Sequence, residues 1–233
     1  MAWPFSKLRK KALSIAMQHI EYEAESTQYI CIGPVNKALN MIYRWIDDPN
    51  SRANKLHLSR VKDYLWVAED GMKYQAYNGS QLWDVIFAFQ AILGTKLSDE
   101  YGSVLKRANE FIKGSQFKIN SSADFSQWYR DNAIGGWSFS TVDQGWIVTD
   151  CTGECLKISL LLSLMSSDIV GDTLAPKGLY DAVNLLLPLQ NSNGGFGSYE
   201  LARLQVSGAV ALTGYGHGGD CVVLWLVQVV IVG

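Results

Sequence analysis

Apolar residues return every three or four positions through most of the chain, a spacing that predicts helices with one buried face. The first such segment covers residues 5–23. The second begins at Pro34, a residue favoured in the first turn of a helix, and ends at Asp48 before a proline. The positions expected to face the protein interior are Leu8, Ala12, Ile15, Ala16 and His19 or Ile20 in the first segment and Val35, Leu39, Ile42 and Ile46 in the second.

Further segments show the same helical spacing. Ser51 is a suitable cap for one of them and Ser98 for another, and Gly94 and Gly114 are expected to end two of the helices. These segments are 51–64, 80–94, 98–113, 151–165 and 174–190. The loops are rich in Gly, Asn and Ser, and no sustained strand alternation occurs before residue 204. The pattern predicts an all-α fold of about eight helices.

A faint internal repeat involves two of these helices. In each copy a helix ends in glutamine, Gln116 or Gln190, and a Gly-Gly-aromatic loop follows at 135–137 or 194–196. A glutamine amide can satisfy backbone groups left open at a helix end while the aromatic ring packs on it. Repeated helix pairs predict an α/α toroid, because each pair needs a neighbour to cover its apolar face.

Composition narrows the class of protein. The chain has 233 residues, of which 48% are hydrophobic, enough to bury a substantial core. Twenty basic and 22 acidic residues give a net charge of −2, which argues against a nucleic-acid surface. The apolar stretch 221–233 is shorter than the roughly 18 apolar residues that a membrane-spanning helix needs.

The cysteines do not predict a disulfide framework or a metal site. The chain contains four of them, scattered along its length. Cys151 and Cys155 are one helical turn apart, but no histidine is close to them in sequence. Reduced thiols on a helix are favoured over a metal pair, and we expect no cofactor.

Candidate chemistry lies at residues 150–154, Asp-Cys-Thr-Gly-Glu, between a loop rich in Gly and Trp and an apolar helix. A carboxyl group among aromatic rings is a candidate strong acid, because burial and hydrogen bonds set its proton affinity. Alternatively, Asp150 caps a helix that begins at Thr152, and Glu154 assists that cap. Trp83 and Phe139 are equally typical of core residues.

Residues 150–154 resemble the Asp-Cys-Thr-Ala-Glu motif of oxidosqualene cyclases, with Gly153 in the alanine position. Residues 63–73, 78–84 and 145–148 are similar to the same family, and the glutamine–aromatic repeats resemble its Gln-Trp motifs. Residues 47–51 and 56–58 are similar to its plant members. The resemblance runs from about Trp3 to Arg203. It implies a fragment of a longer enzyme, built from two α/α barrels, that closes 2,3-oxidosqualene into a sterol or triterpene.

The resemblance also implies residue roles. Asp150 matches the acid that protonates the epoxide, and Cys151 matches the thiol that hydrogen-bonds to it. Trp83 and Phe139 match aromatic residues that face the growing carbocation, and Tyr199 matches a tyrosine of the same cavity. The chemistry agrees with these residue types, because an epoxide is a weak base and needs a protonated, well-aimed acid. Aromatic faces attract a cation by about 0.5–2 kcal/mol without reacting with it.

From about Leu204 the resemblance ends. We divide the chain into a cyclase-like α/α-barrel fragment at 1–203 and a Gly-rich, apolar tail at 204–233, whose change of character suggests a frameshift, a retained intron or a faulty gene model. Met1 falls inside the family's longer chain. A second reading is therefore a truncated, non-catalytic fragment that binds lipid or a membrane surface at most.

Two related families share parts of this pattern. Squalene–hopene cyclases share the architecture and an acid motif, but the Cys-Thr pair at 151–152 favours the epoxide user. Protein prenyltransferase β-subunits share the toroid, but they need zinc ligands that the sequence does not provide. The resemblance to oxidosqualene cyclases also implies a monotopic membrane enzyme at the endoplasmic reticulum membrane or lipid droplets.

Overall fold

The computed structural model describes residues 6–75, 78–121, 126–128, 130–191 and 193–199. Within these ranges the chain forms eight α-helices and one two-stranded antiparallel sheet, which confirms the predicted all-α class. The helices are α1 (Ser6–Ser26), α2 (Pro34–Asp47), α3 (Arg52–Ser59), α4 (Gln81–Gly94), α5 (Gly102–Ser115), α6 (Thr149–Ser163), α7 (Ser167–Val170) and α8 (Pro176–Leu186). The strands are β1 (Leu65–Ala68) and β2 (Gly71–Tyr74). Short 3₁₀ turns cover Val61–Tyr64, Ser126–Trp128, Val142–Gln144 and Leu187–Leu189.

The described residues divide into two compact units. Unit 1 contains the described part of residues 1–79 together with 143–145, and unit 2 contains that of 80–142 and 146–199. The tail predicted at 204–233 lies outside the described residues, as does the predicted boundary at Arg203.

Several predicted helix ends agree with the structure. Pro34 is the first residue of α2, and the Ser51 hydroxyl accepts a hydrogen bond from the Asn54 N–H at 3.1 Å, which caps α3. The predicted cap at Ser98 is wrong, because α5 begins four residues later. A turn precedes it, in which the Tyr101 N–H donates to the Leu97 carbonyl at 3.1 Å.

The buried face predicted for α2 is also wrong. The four apolar side chains named for it are 55–73% exposed, and the buried residues of the helix are Lys37, Asn40 and Arg44. The reason is that polar partners surround this face. Asn40 and Arg44 contact the carboxylates of Glu23 and Glu21 of α1, so hydrogen bonds compensate for the lost hydration.

The apolar face predicted for α1 is likewise exposed. Leu8 is 65% exposed and Ile15 is 45% exposed, whereas Ala24 in the last turn is fully buried. Full burial is reached only near the end of the helix and just after it, where Thr27 is fully buried and its hydroxyl donates to the Glu23 carbonyl at 2.7 Å. Amphipathic spacing therefore located α1 but not the side of the helix that is covered.

A β-hairpin that the sequence pattern did not predict follows α3. In β1 and β2, Leu65 pairs with Tyr74 and Val67 with Met72. These four side chains share one face of the hairpin and are all more than a third exposed. Periodicity missed the hairpin because strands of four residues contain too few alternations to give a clear signal.

Unit 2 has the larger apolar core. Its buried side chains come mainly from α4, α5, α6 and α8 and from the loops before α6 and after α8. The largest of them are Trp137, Phe89, Leu82, Ile86, Leu105, Ile112, Ile147, Ile158 and Leu162. This core fixes the positions of α4 and α6, on which the candidate site lies.

The two glutamine–aromatic units have the same local geometry. Gln116, after the last turn of α5, donates from Nε2 to the Gly135 carbonyl at 2.9 Å, and Gln190 donates to the Gly194 carbonyl at the same distance. Gln116 also donates to the Gly178 carbonyl of α8 at 2.9 Å. Gly135 has φ +94°, and a Cβ atom there would lie 2.3 Å from the backbone of Asp181, so only glycine fits.

Candidate active site

Asp150, the predicted acid, lies at the start of α6, but it is not the cap residue of that helix. The helix begins at Thr149, so Asp150 lies in its first turn and Val148 is the cap residue. Asp150 Oδ1 accepts a hydrogen bond from the Cys151 N–H at 2.8 Å. The alternative in which Asp150 caps a helix starting at Thr152 is therefore wrong.

Asp150 is partly buried, and burial raises the pKa of its carboxyl group. Hydrogen bonds from the first-turn N–H groups and from the Cys151 thiol act in the opposite direction, and the charge of Glu154 adds to the rise. Burial has the largest effect, because it penalises the ionised form. Asp150 thus holds its proton more tightly than an exposed aspartate does, which is what a proton donor requires.

Cys151 remains a thiol. It is fully buried, and burial together with the neighbouring Asp150 charge raises the pKa of its sulfur well above the ordinary range. Its hydrogen bond to Asp150 stabilises the carboxylate that forms when the acid gives up its proton. A thiol beside a buried carboxyl group therefore increases the strength of that acid without competing for its proton.

The loop at 137–140 connects the starts of α4 and α6. Trp137 accepts a hydrogen bond from the Val148 N–H at 2.9 Å and donates to the Thr152 hydroxyl at 3.0 Å. At the other end of the loop, the Leu82 N–H donates to the Ser140 carbonyl at 3.1 Å. The N-terminal ends of both helices consequently adjoin one loop.

The two helices run in the same direction. Further along, Gln90 in the third turn of α4 donates to Oε2 of Glu154 in the second turn of α6 at 2.8 Å, and Lys157 of α6 donates to Gln90 Oε1 at 2.7 Å. Because the helices meet both at their starts and further along, Trp83 in the first turn of α4 lies at the same end of the pair as Asp150. Glu154 is buried in this contact, so the capping role considered for it is wrong.

Aromatic side chains lie at this end of the helix pair. The ring centroids of Trp83 and Phe139 are 5.7 Å apart, and the backbone N–H of Trp83 donates to the Phe139 carbonyl at 3.3 Å. Both residues are partly exposed. Trp137, which also flanks the motif, is fully buried and belongs to the core, where its indole N–H donates to the Ile112 carbonyl at 2.8 Å.

The segment that precedes Tyr199 reaches the same region through its backbone. The preceding residue, Ser198, accepts a hydrogen bond from the Thr149 N–H at 3.0 Å, and the Gly197 carbonyl accepts one from the Thr149 hydroxyl. Tyr199 is partly exposed. The structure thus brings the segments that carry Asp150, Cys151, Trp83, Phe139 and Tyr199 to the start of α6.

No metal site is found in the described part of the chain. Among those residues there is no group of three or more His, Cys, Asp or Glu side chains that could hold an ion. Cys151 and Cys155 are both buried free thiols. Two cavities of about 640 and 650 Å³ lie elsewhere, one lined by residues of α1 to α3 and the other by α5 and α8, and neither is lined by Asp150.

Sequence reasoning missed a buried polar cluster in unit 1. The Lys37 ammonium group donates to the Tyr29 and His57 carbonyls at 2.6 and 2.8 Å and lies 3.3 Å from His57 Nδ1. Burial lowers the pKa of Lys37 to about 8 and that of His57 to about 4. The sequence signal for this cluster was the spacing of Lys37, Asn40 and Arg44, which places three polar residues on one side of α2.

Comparisons with known proteins identify relatives of the chain. Alpha-onocerin synthase LCD of Lycopodium clavatum is 46% identical over 198 residues, which are 85% of this chain and 26% of that protein. Lanosterol synthase of Mus musculus is 45% identical over 201 residues (85% and 27%), and cycloartenol synthase of Dictyostelium discoideum is 42% identical over 196 residues (84% and 27%). The matched part of the chain is similar in sequence to one segment of the oxidosqualene cyclases. No protein-family model matches the chain.

The chain spans about a quarter of the length of the curated relatives that it matches. The eight helices of its described residues are consistent with an all-α fragment of the toroid of terpene cyclases. The relatives come from organisms as different as Lycopodium, Mus, Dictyostelium and Aspergillus, so the similarity to plant members stays a prediction. No helix among the described residues is long and apolar enough to cross a membrane.

Proposed function

We propose that this cyclase segment supplies the proton donor with which an oxidosqualene cyclase, an isomerase of the intramolecular transferase class, opens the epoxide of 2,3-oxidosqualene. The observation that supports the proposal is the partly buried Asp150 carboxyl group, whose pKa is raised by burial and which adjoins a buried thiol at the start of α6. In the proposed step the Asp150 proton passes to the epoxide oxygen. The C–O bond then breaks, leaving a hydroxyl group and a tertiary carbocation.

In the same proposal, Cys151 stabilises the Asp150 carboxylate, and the rings of Trp83, Phe139 and Tyr199 face the positive charge as the alkenes of the substrate close. Aromatic faces suit this task because they attract a cation by about 0.5–2 kcal/mol and, unlike a carboxylate, do not quench it. A final proton loss yields a sterol or a cyclic triterpene. No metal or other cofactor takes part in this chemistry.

We also propose the finer properties that the family resemblance implies. The glutamine–aromatic units at 116–137 and 190–196 would be the Gln-Trp repeats of the family, since each glutamine holds the loop that carries its aromatic ring. Attachment to one face of the endoplasmic reticulum membrane or of lipid droplets would give access to the oily substrate. A plant source would fit the residues at 47–51.

The proposal is tested by expressing this chain in yeast that lacks its own cyclase and reading the extracted lipids by mass spectrometry. A new cyclised alcohol that disappears in the Asp150→Asn variant would show that this chain itself carries the activity, because an amide cannot deliver the proton. Unchanged oxidosqualene, with the chain present in the cells, would favour the alternative of a non-catalytic chain that binds lipid or a membrane surface at most.

A further inference from the structure

Helix α4 presents two different faces within unit 2. Leu82, Ile86 and Phe89 point into the core and are at most 1% exposed. One position further along the chain, Trp83 and Phe87 lie one turn apart on a neighbouring face, where Phe87 is 43% exposed. A phenylalanine this exposed contributes little to the core, so its contacts on the neighbouring face indicate its role.

Phe87 contacts the indole of Trp83. The two ring centroids are 4.7 Å apart, and the ring planes meet at 69°, an edge-to-face arrangement. On another side the Trp83 ring meets Phe139 at 5.7 Å with an angle of 32°. The backbone N–H of Trp83 donates to the Phe139 carbonyl, which fixes the backbone at this position. The orientation of the indole therefore depends on the side-chain torsions of Trp83. The rings of Phe87 and Phe139 restrict those torsions.

We propose that Phe87 is a positioning residue, which holds the Trp83 indole in the orientation that presents its face to a positively charged, long-chain apolar ligand. The inference rests on the proposed function, in which Trp83 faces a carbocation. A cation is attracted to a ring face and not to a ring edge, so a turn of the indole would weaken the attraction without removing the ring. Phe87 acts through Trp83 and does not itself need to touch the ligand.

The test measures binding of two matched probes to the intact chain by isothermal titration calorimetry, below their micelle concentrations. One probe is protonated N,N-dimethyldodecylamine, which carries a positive charge. The other is its N-oxide, which has the same alkyl chain and carries no net charge at neutral pH. The difference between the two affinities reports the attraction of the aromatic rings for positive charge. A loss of packing would instead lower the affinities for both probes equally.

We expect Trp83→Leu to lower the affinity for the ammonium probe about tenfold and Phe87→Leu to lower it about threefold to tenfold. The affinity of either variant for the N-oxide should change less than about twofold. Phe87→Tyr keeps the edge-to-face contact and should restore binding of the ammonium probe. Tyr180→Leu removes an exposed aromatic ring from α8 of the same unit and should have no effect.

A second variant at the start of α4 excludes a simpler cause. The exposed Asp84 carboxylate, which accepts a hydrogen bond from the Ser80 hydroxyl at 2.8 Å, could attract the ammonium probe by itself. Asp84→Asn should therefore leave the preference for the charged probe in place. If this variant removes the preference, the inference is overturned.

The outcomes separate the inference from the function on which it rests. If Trp83→Leu lowers the affinity for the ammonium probe and Phe87→Leu does not, Phe87 is not a positioning residue, and the proposed role of Trp83 still holds. If Phe87→Leu lowers the affinities for both probes equally, the inference is also overturned, because Phe87 then has a packing role alone. If Trp83→Leu has no effect, the proposed role of Trp83 itself fails. Phe87→Met serves as a second apolar replacement if Phe87→Leu does not fold.

Discussion

At the scale of single residues, burial controls the proton affinity of Asp150 and that of Cys151. The motif at 150–154 identifies Asp150 and Cys151 as a pair. The structure shows how strongly each is buried and that burial, not a neighbouring charge, has the largest effect on both pKa values. The role of Glu154 also required the structure, because its partner Gln90 is 64 residues away along the chain.

The raised pKa of Asp150 predicts a cost in stability that depends on pH. The folded chain holds the Asp150 proton more tightly than the unfolded chain does, so stability falls as pH rises from about 4, where an ordinary aspartate ionises, through the higher folded-state pKa. Asn cannot ionise and can still accept the Cys151 N–H. Asp150→Asn should therefore be more stable than the parent chain at pH 7, and the difference should vanish near pH 4.

The unfolding midpoint in urea, measured for both proteins between pH 3.5 and pH 7.5, checks this expectation. Asp168→Asn is the control, since Asp168 is an exposed aspartate near the start of α7. If the parent chain instead gains stability relative to Asp150→Asn as pH rises, the folded protein favours the ionised carboxyl group and not the protonated one.

At the scale of secondary-structure elements, helix positions were predictable and helix faces were not. The limits of α2 followed from Pro34 and Asp48, which are local signals. Its buried face depends on Lys37, Asn40 and Arg44, whose partners lie on α1 and α3 and in the loop between α1 and α2. Spacing alone cannot choose between a polar face that is satisfied by hydrogen bonds and an apolar one.

The polar cluster of unit 1 predicts acid sensitivity. Burial holds the pKa of His57 at about 4, against 6.5 for an ordinary histidine. The unfolded chain therefore binds this proton first, and stability falls as pH drops from about 6.5 to 4, by up to about 3 kcal/mol. His57→Asn retains an acceptor for Lys37 and cannot be protonated, so it should flatten this loss.

Urea unfolding at pH 4.5 and pH 6.5 measures the difference between the parent chain and His57→Asn. His19→Asn provides the matched control, because His19 on α1 is only partly buried. Equal acid sensitivity of the parent chain and His57→Asn would rule out His57 as its source.

The glutamine–aromatic units predict a ranking of two otherwise identical substitutions. Gln116→Ala removes two hydrogen bonds, to Gly135 and Gly178, from a side chain whose residue is 5% exposed. Gln190→Ala removes one bond, at an exposed position. Since a lost hydrogen bond that leaves a buried group unpaired costs about 1–3 kcal/mol, Gln116→Ala should destabilise the chain by at least twice as much as Gln190→Ala. Thermal unfolding followed by circular dichroism compares them, and equal losses would contradict the ranking.

At the scale of the whole molecule, the class of fold was predictable because most of the chain has helical spacing and strong end signals. The two compact units and the hairpin were not predictable, since they depend on contacts between residues far apart in sequence. The stripe formed by Val35, Leu39, Ile42 and Ile46 shows the consequence. It has the pattern of a core face, and it is exposed in the structure.

This exposed stripe predicts that the chain associates through its surface. Leu39→Glu together with Ile42→Lys should lower light scattering by the purified chain at a given concentration, because exposed apolar patches promote association. The free energy of unfolding should change by less than about 0.5 kcal/mol, as expected for exposed positions. Leu82→Glu is the contrasting control, because it places a charge in the core of unit 2 and should prevent folding. Unchanged scattering in the double variant would exclude the stripe as the cause.

A chimera tests whether Asp150 is the proton donor that we propose. Residues 6–199 of this chain replace the matching segment of the Mus musculus lanosterol synthase, and the chimera is expressed in yeast that lacks its own cyclase. Lipid mass spectrometry should show a cyclised alcohol for the chimera and oxidosqualene alone for its Asp150→Asn variant, at equal protein levels. A cyclised alcohol from the Asp150→Asn chimera would contradict the account.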